Sequence, residues 1–346
     1  MMTLENFTTK VGSVCVISSF ANLFSNLNIS ISDNELFFYG DGLKLSYDWP
    51  ETITSINEIK IHHYSSDIMG TFFKYLNEYL IVKRAPSSKS EFTDFFKNRI
   101  NNNMPTIVVA NTEYLTYHNI YKELNESRNH IITVYGYDDN LVYISDCFVP
   151  TLKTITTYQG HFNLDDFYNS MKISNFEYYD FDYEMVCNKI NNITNDLKFS
   201  YFYKNLVAHV YGSKSYIKYL YDFSNKVSRF GSFFTQNEIA QNSNNLFFAI
   251  KYNGILASRQ FVVSFIDSHF GEDYSNLSKS FKLLIGKWEF FNYMMLKNSI
   301  KGYDKSNYIN AGKYLTELLN KEKEIFRKLI NKIEKEKHVY ILEPPT

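Results

Sequence analysis

Apolar and polar positions follow two different periods in the two halves of the chain. From Cys15 to Leu27, the residues Val16, Ile17, Phe20, Leu23, Phe24 and Leu27 recur at helical spacing, which predicts a helix with a broad apolar face laid on a sheet. Ser32-Asp-Asn-Glu35 reads as a second helix start, with Ser32 at the N-cap and Glu35 at the capping-box position. Gly40-Asp-Gly42 is a turn, and Leu43 to Tyr47 alternates as a strand does. Lys83 to Ser90 has the composition of a loop, Ser90 opens a capped helix to about Asn101, and Thr106 to Ala110 is a β-branched buried strand.

The segment from Arg128 to Asp146 predicts a hairpin: two short strands around Asp138-Asp139-Asn140. A three-residue turn sets Tyr137 opposite Leu141 and gathers His130, Ile132, Val134, Val142, Ile144 and Asp146 on one face, where the aliphatics meet. In that register Asp146 is a diagonal neighbour of His130, about 7–8 Å away between backbone positions and within side-chain reach. A two-residue turn would flip one strand and separate the pair.

After an acidic and aromatic stretch, Phe176 to Tyr183, the pattern becomes nearly all helical. Its clearest element is Lys313 to Lys337, where Leu315, Leu318, Leu319, Phe326, Leu329, Ile330 and Ile333 form one stripe among Lys and Glu. The chain therefore predicts an α+β domain over residues 1–180 and an all-α domain over 181–346.

Lys+Arg 36 against Asp+Glu 37 leaves a net charge of −1, so no global field draws nucleic acid or an anionic membrane. Tyr 29 and Phe 30 stand out beside Gly 13 and Pro 6, a bias that accompanies abundant Asn and Lys. Three cysteines without CxxC spacing make neither a disulfide framework nor a structural zinc site, which points to a reducing, cytoplasmic setting. The apolar run Val11 to Phe24 is broken by two serines and an asparagine and lacks a secretory cleavage site; no other run approaches the ~18 apolar residues of a membrane span.

The chemistry lies in the order Cys15, His130, Asp146. A helix N-terminus and a nearby imidazolium both stabilise a thiolate, and Gly12-Ser13 would let the chain turn tightly into the helix that begins at Cys15. His130 would take up and return a proton, and Asp146 would orient the ring, the order of a papain-like cysteine enzyme. The Cys15 backbone N–H is the natural first oxyanion donor. Papain-like peptidases supply a glutamine several residues before the cysteine, where this chain has Thr8, Thr9 and Lys10.

Gly12-Ser-Val-Cys-Val-Ile-Ser-Ser-Phe-Ala-Asn-Leu-Phe24, Ser32 to Leu43 and the His130–Asp146 hairpin resemble the butirosin biosynthesis protein H family. That resemblance implies a papain-like N-terminal domain related to double-glycine-leader peptidases, followed by a helical domain. It also implies an acyltransferase that takes an acyl group from a carrier-protein thioester onto Cys15 and passes it to an amine, in natural-product biosynthesis. His130 would be its acid and base and Asp146 the orienting group, with an acyl or peptidyl carrier protein as partner and a small amine as acceptor. Val14 departs from the polar residue, often His, that many members place before the cysteine. No cofactor and no metal are expected, since transfer from a thioester is downhill and no GxxxxGK[ST] loop is present. The helical domain is expected to serve as a lid or to bind the acceptor or partner.

Two other readings use the same residues: a cysteine peptidase or amidase with this triad, and a catalytically inactive binding module. His62, His63, His118, His161, His209 and His269 are expected at surface or satisfied polar positions, Cys147 is expected to face away from Asp146 as a packing residue, and Arg259 is expected in a surface salt bridge.

Overall fold

In the computed structural model, the described residues are all except 1, 5, 50–59, 64–66, 124–126, 139, 152, 213, 214, 253, 302, 303 and 337–346. The chain forms two compact units, one of Met1–Leu36 with Met69–Ile193, the other of Phe37–Ile68 with Thr194–Thr346. The division is thus not a single cut near residue 180. Phe37 packs on Phe261 at 4.6 Å and Phe38 on Phe202 and Phe265 at 4.7 and 5.3 Å between ring centroids, so this early segment finds its apolar partners among the late helices.

The first unit is α+β. Its strands are β1 (Met2–Thr3), β4 (Ile81–Arg84), β5 (Thr106–Asn111), β6 (Asn129–Asp138), β7 (Leu141–Pro150), β8 (Ile155–Asn163) and β9 (Glu177–Asp180). They make an antiparallel sheet in the order β4-β9-β5-β6-β7-β8, with β1 paired to β6. The segment read as a loop from Lys83 thus begins within an exposed edge strand, β4. Helices α4 (Lys89–Asn101) and α6 (Leu164–Ile173) set Phe92, Phe96, Phe167 and Met171 against Val108, Ala110, Ile132, Val134, Val142 and Ile144. Each fully buried Val, Ile, Phe or Met among them contributes about 1.5–3 kcal/mol. The cap of α4 is Ser88, whose hydroxyl donates to Glu91 at 2.6 Å. Helix α1 (Cys15–Asn26) lies against β6 and β7, where the Ser19 hydroxyl donates to the Ile131 carbonyl at 3.4 Å. At the start of α2 (Asp33–Tyr39) the expected capping box forms: the Ser32 N–H donates to Glu35 at 2.8 Å.

The hairpin differs from expectation at its tip and agrees with it at its base. Asp138 pairs with Leu141, so the turn has two residues, of which Asp139 lies outside the described residues. Such a turn alone would separate His130 from Asp146. A β-bulge between Val134 and Gly136 adds one residue to β6, and beyond it Val134 pairs with Ile144 and Thr133 with Ser145. That is the pairing a three-residue turn would have produced.

The second unit is a hairpin, β2 (Leu45–Asp48) with β3 (Lys60–His63), and six long helices: α8 (Asn195–Val210), α9 (Tyr216–Ser228), α10 (Gln236–Tyr252), α11 (Ile255–His269), α12 (Ser275–Lys301) and α13 (Lys305–Lys335). The apolar stripe of α13 is buried as its spacing predicts, but Glu322 sits within it, fully buried. Glu322 accepts from Arg259 Nη2 at 2.5 Å, His209 Nε2 at 3.1 Å and Trp288 Nε1 at 2.6 Å. Arg259 Nη1 in turn donates to His63 Nε2 at 2.6 Å. Arg259 is therefore no surface residue: it is the cation of a closed polar core, and His209 has a carboxylate partner after all. Among the described residues, no helix is long and apolar enough to cross a membrane.

Candidate active site

Residues 8–12 are strapped in place before α1 begins. The Thr8 and Lys10 N–H groups donate to Asn26 and Asn22 of α1, at 2.8 and 2.7 Å. On the sheet side, the Thr9 and Ser145 hydroxyls are 2.7 Å apart, and the Gly12 N–H donates to the Cys147 carbonyl at 2.8 Å. A Cβ on Gly12 would meet the Ser18 Oγ at 2.0 Å, so only glycine lets the chain pass this close to α1. Val14, extended at φ −147° and ψ 123°, caps the helix without a side-chain hydrogen bond and is itself buried. Its departure from a polar residue thus fills the core and adds no group beside the thiol. The next residue, Cys15, opens the first turn, whose N–H groups point along the helix axis beyond its N-terminus without a capping side chain.

His130 lies on β6, and the Cys15 thiol is among the groups that raise its pKa. Its Nε2 lies 2.9 Å from Asp146 Oδ2, on β7. The structure thus brings together all three residues singled out in the sequence. Asp146 is fully buried, and an ionised carboxylate only accepts hydrogen bonds. Its Oδ2 accepts from His130, from His118 Nε2 at 2.8 Å and from the Tyr117 hydroxyl at 3.0 Å, while Oδ1 accepts the Phe148 N–H at 2.9 Å.

Burial opposes the charge on both members of the main pair, and their proximity overrides it. Burial would lower the His130 pKa, yet the Asp146 charge, its hydrogen bond and the Cys15 thiol raise it to about 10. Burial would raise Asp146, yet the His130 charge and the bonds from His118 and His130 hold it below the usual carboxylate range. His118 goes the other way: burial and the neighbouring His130 charge lower its pKa, outweighing Asp146. His118 is therefore the neutral donor and His130 the cation. The Tyr117 phenol, pushed well up by burial and then by Asp146, stays protonated as a donor.

Tyr117 escaped the sequence reading, and the sequence predicts His118 only at a surface or satisfied polar position, not at Asp146. They precede the short helix α5 (Asn119–Glu123) and stand 28 and 29 residues from Asp146, with no motif linking them. Aromatic packing holds them: Tyr117 stacks on Tyr158 at 4.0 Å, and the His118 ring meets His130 edge-on at 4.5 Å. Cys147 is buried as expected, 3.5 Å from the Ser19 hydroxyl, and burial pushes its thiol well up, so it stays protonated.

His118, His130 and Asp146 are the residue types that bind transition metals, and their ligand atoms lie within 4.8 Å of one another. Both imidazoles, however, already spend an N–H on the same carboxylate oxygen, and a cation there would have to displace both protons. The set fits a proton-holding cluster better than a metal centre.

A cysteine at a helix N-terminus, laid across an antiparallel sheet whose neighbouring strands carry His and a buried Asp, is the arrangement of a papain-like cysteine-enzyme domain. Residues 14–147 match the family model described as butirosin biosynthesis protein H, N-terminal. Over these residues the chain is similar to that domain family, in line with the resemblance in its sequence. Among solved structures, a Bacillus anthracis protein described as a C39-like peptidase aligns with 14% identity and a TM-score of 0.35, over 52% of this chain and 96% of that one. None of the curated proteins compared with the chain matches it.

Proposed function

We propose that the protein is an acyltransferase that forms an amide, carrying the acyl group from a carrier-protein thioester to an amine through an acyl-Cys15 intermediate. The observation that carries this reading is the His130 ring bonded to the buried Asp146 carboxylate and acted on by the Cys15 thiol, in a stretch similar to the butirosin protein H family.

In the first half-reaction, Cys15 as thiolate attacks the thioester carbonyl, and the Cys15 backbone N–H at the start of α1 receives the developing oxyanion. Collapse breaks the donor C–S bond, and the His130 imidazolium gives its proton to the departing carrier thiolate. Neutral His130 then takes the proton of the incoming amine as it attacks the acyl-Cys15 carbonyl. The Cys15 thiolate leaves and the amide is released. One thioester is exchanged for one amide, and no energy source is consumed.

A peptidase would stabilise its oxyanion with a glutamine side chain before the cysteine. Here Thr9 stands in that neighbourhood with its hydroxyl on Ser145, and the Gln159 side chain that approaches it is bonded to the Thr9 N–H at 3.1 Å and the Phe7 carbonyl at 2.7 Å. These commitments favour transfer over proteolysis.

Incubation with N-acetylcysteamine thioesters of acyl and aminoacyl groups, followed by intact-mass measurement, tests the reading. A mass gain of one acyl group that is absent in Cys15→Ala and discharged by an added amine supports it. No adduct with any donor, from a folded protein, overturns covalent catalysis. Cleavage of peptide amides in place of acyl transfer assigns the triad to a peptidase.

A further inference from the structure

Helix α12 buries one face against the core of the second unit and leaves a second apolar seam outside. Leu283, Phe290, Tyr293 and Ile300 are 71%, 56%, 56% and 77% exposed. With Gly286 and Lys297 they follow a 3-4-3-4-3 spacing, the repeat by which one helix receives another. The seam runs from residue 283 to 300, about 25 Å at ~1.5 Å per residue. It is not smooth: nothing would touch a Cβ on Gly286 within 4 Å, and a groove of about 430 Å³ opens between Tyr293, Leu296, Lys297, Ile300 and Lys301. Notch and groove are places for the side chains of a partner helix.

The rim is basic although the whole chain has a net charge of −1. Lys297 lies in the seam and Lys301 closes its end. Lys287 feels the charge of Lys321 on α13, which lowers its pKa against the opposing charge of Glu317, and Lys251 on α10 feels the charge of Glu289. Like charges at a surface repel each other, and a partner's carboxylates along the Lys297 and Lys301 edge would relieve the repulsion.

We propose that the outer face of α12 is a docking surface for an amphipathic helix of a partner protein, apolar along its seam and acidic along its flanks. A second copy of this chain is a poor occupant, because a two-fold contact would set the lysine rim against itself. An anionic lipid surface would also attract lysines, but it requires a broad apolar face and gains nothing from a narrow seam with notches. This inference stands apart from the acyl-transfer reading, since it rests on α12 and its neighbours alone.

The test uses the full chain and two labelled helical peptides with the same Leu/Ile seam, one flanked by Glu and one by Lys, read by fluorescence anisotropy. The acidic peptide should bind with micromolar affinity and weaken several-fold between about 50 and about 300 mM salt, while the basic one should not bind. Phe290→Glu with Ile300→Glu should lower the affinity at least tenfold, about 1.4 kcal/mol, with the circular dichroism spectrum unchanged. Lys297→Glu with Lys301→Glu should move the preference towards the basic peptide, an outcome that loss of folding cannot mimic. Equal binding of both peptides, binding of neither, a dimer in sedimentation that Phe290→Glu dissociates, or a preference for phosphatidylglycerol vesicles would each overturn the proposal.

Discussion

His118 and His130 bind the same oxygen: their Nε2 atoms lie 2.8 and 2.9 Å from Asp146 Oδ2, one ring neutral and the other protonated. One buried carboxylate thus orients the ring that faces Cys15 while drawing a second, uncharged hydrogen bond from a ring that does not titrate with it. His118→Ala removes that second donor and leaves Asp146 under-bonded. The expected cost is about 1–3 kcal/mol of stability in urea unfolding. Acylation of Cys15 should persist within an order of magnitude, because His130 and Asp146 remain paired. A rate loss as large as that of His130→Ala would show that His118 takes part in the chemistry.

Asp146→Asn keeps the shape of the acceptor and removes its charge. The His130 pKa should then fall from about 10 to its ordinary value or below, since burial alone lowers it. Imidazole NMR titration reads that shift directly. Cys15 acylation at neutral pH should slow by about 10²–10⁴-fold, the usual worth of positioned acid–base catalysis.

The same pairing gives stability a defined pH profile. The fold favours protonated His130, so its contribution is complete below its unfolded value of about 6.5 and is lost as pH rises through about 10. The fold favours ionised Asp146 and Glu322, the latter lowered to about 2 by Arg259 and His209 against burial. Their contributions are present above the unfolded carboxylate values of about 4 and are lost as pH falls below them. Burial lowers the pKa of His118 and His209, so their contributions are lost as pH falls below about 6.5, and urea midpoints measured across pH should peak near about 6.5 and decline on both sides. In His130→Gln the alkaline decline should shrink; an unchanged alkaline limb would mean that His130 is not held protonated.

Glu322→Ala should be among the most damaging single changes in the helical unit. It leaves the Arg259 guanidinium buried without its carboxylate and strips an acceptor from His209 and Trp288. Removing one partner of a buried pair costs about 3–5 kcal/mol, to be read as a lowered midpoint of the helical dichroism signal.

Much of this protein was legible residue by residue. Periodicity located α1 with Cys15 at its first position, the stripe of α13 and the strands that carry His130 and Asp146, because burial of one face imposes a local period on the sequence. Order along the chain singled out Cys15, His130 and Asp146 as the candidate trio. What periodicity reports is which face is apolar, and it is silent on what that face meets. Only the tertiary structure placed Phe37 and Phe38 among helices more than 150 residues later, inserted the bulge between Val134 and Gly136 that corrects the two-residue turn, and brought His118 and Tyr117 onto Asp146. The same holds for Glu322, a charge on an apolar stripe that reads as an interruption until Arg259, 63 residues away, arrives as its partner. Local patterns follow from local sterics and burial, whereas the protonation and pairing of buried charges depend on which distant groups the packed chain sets beside them.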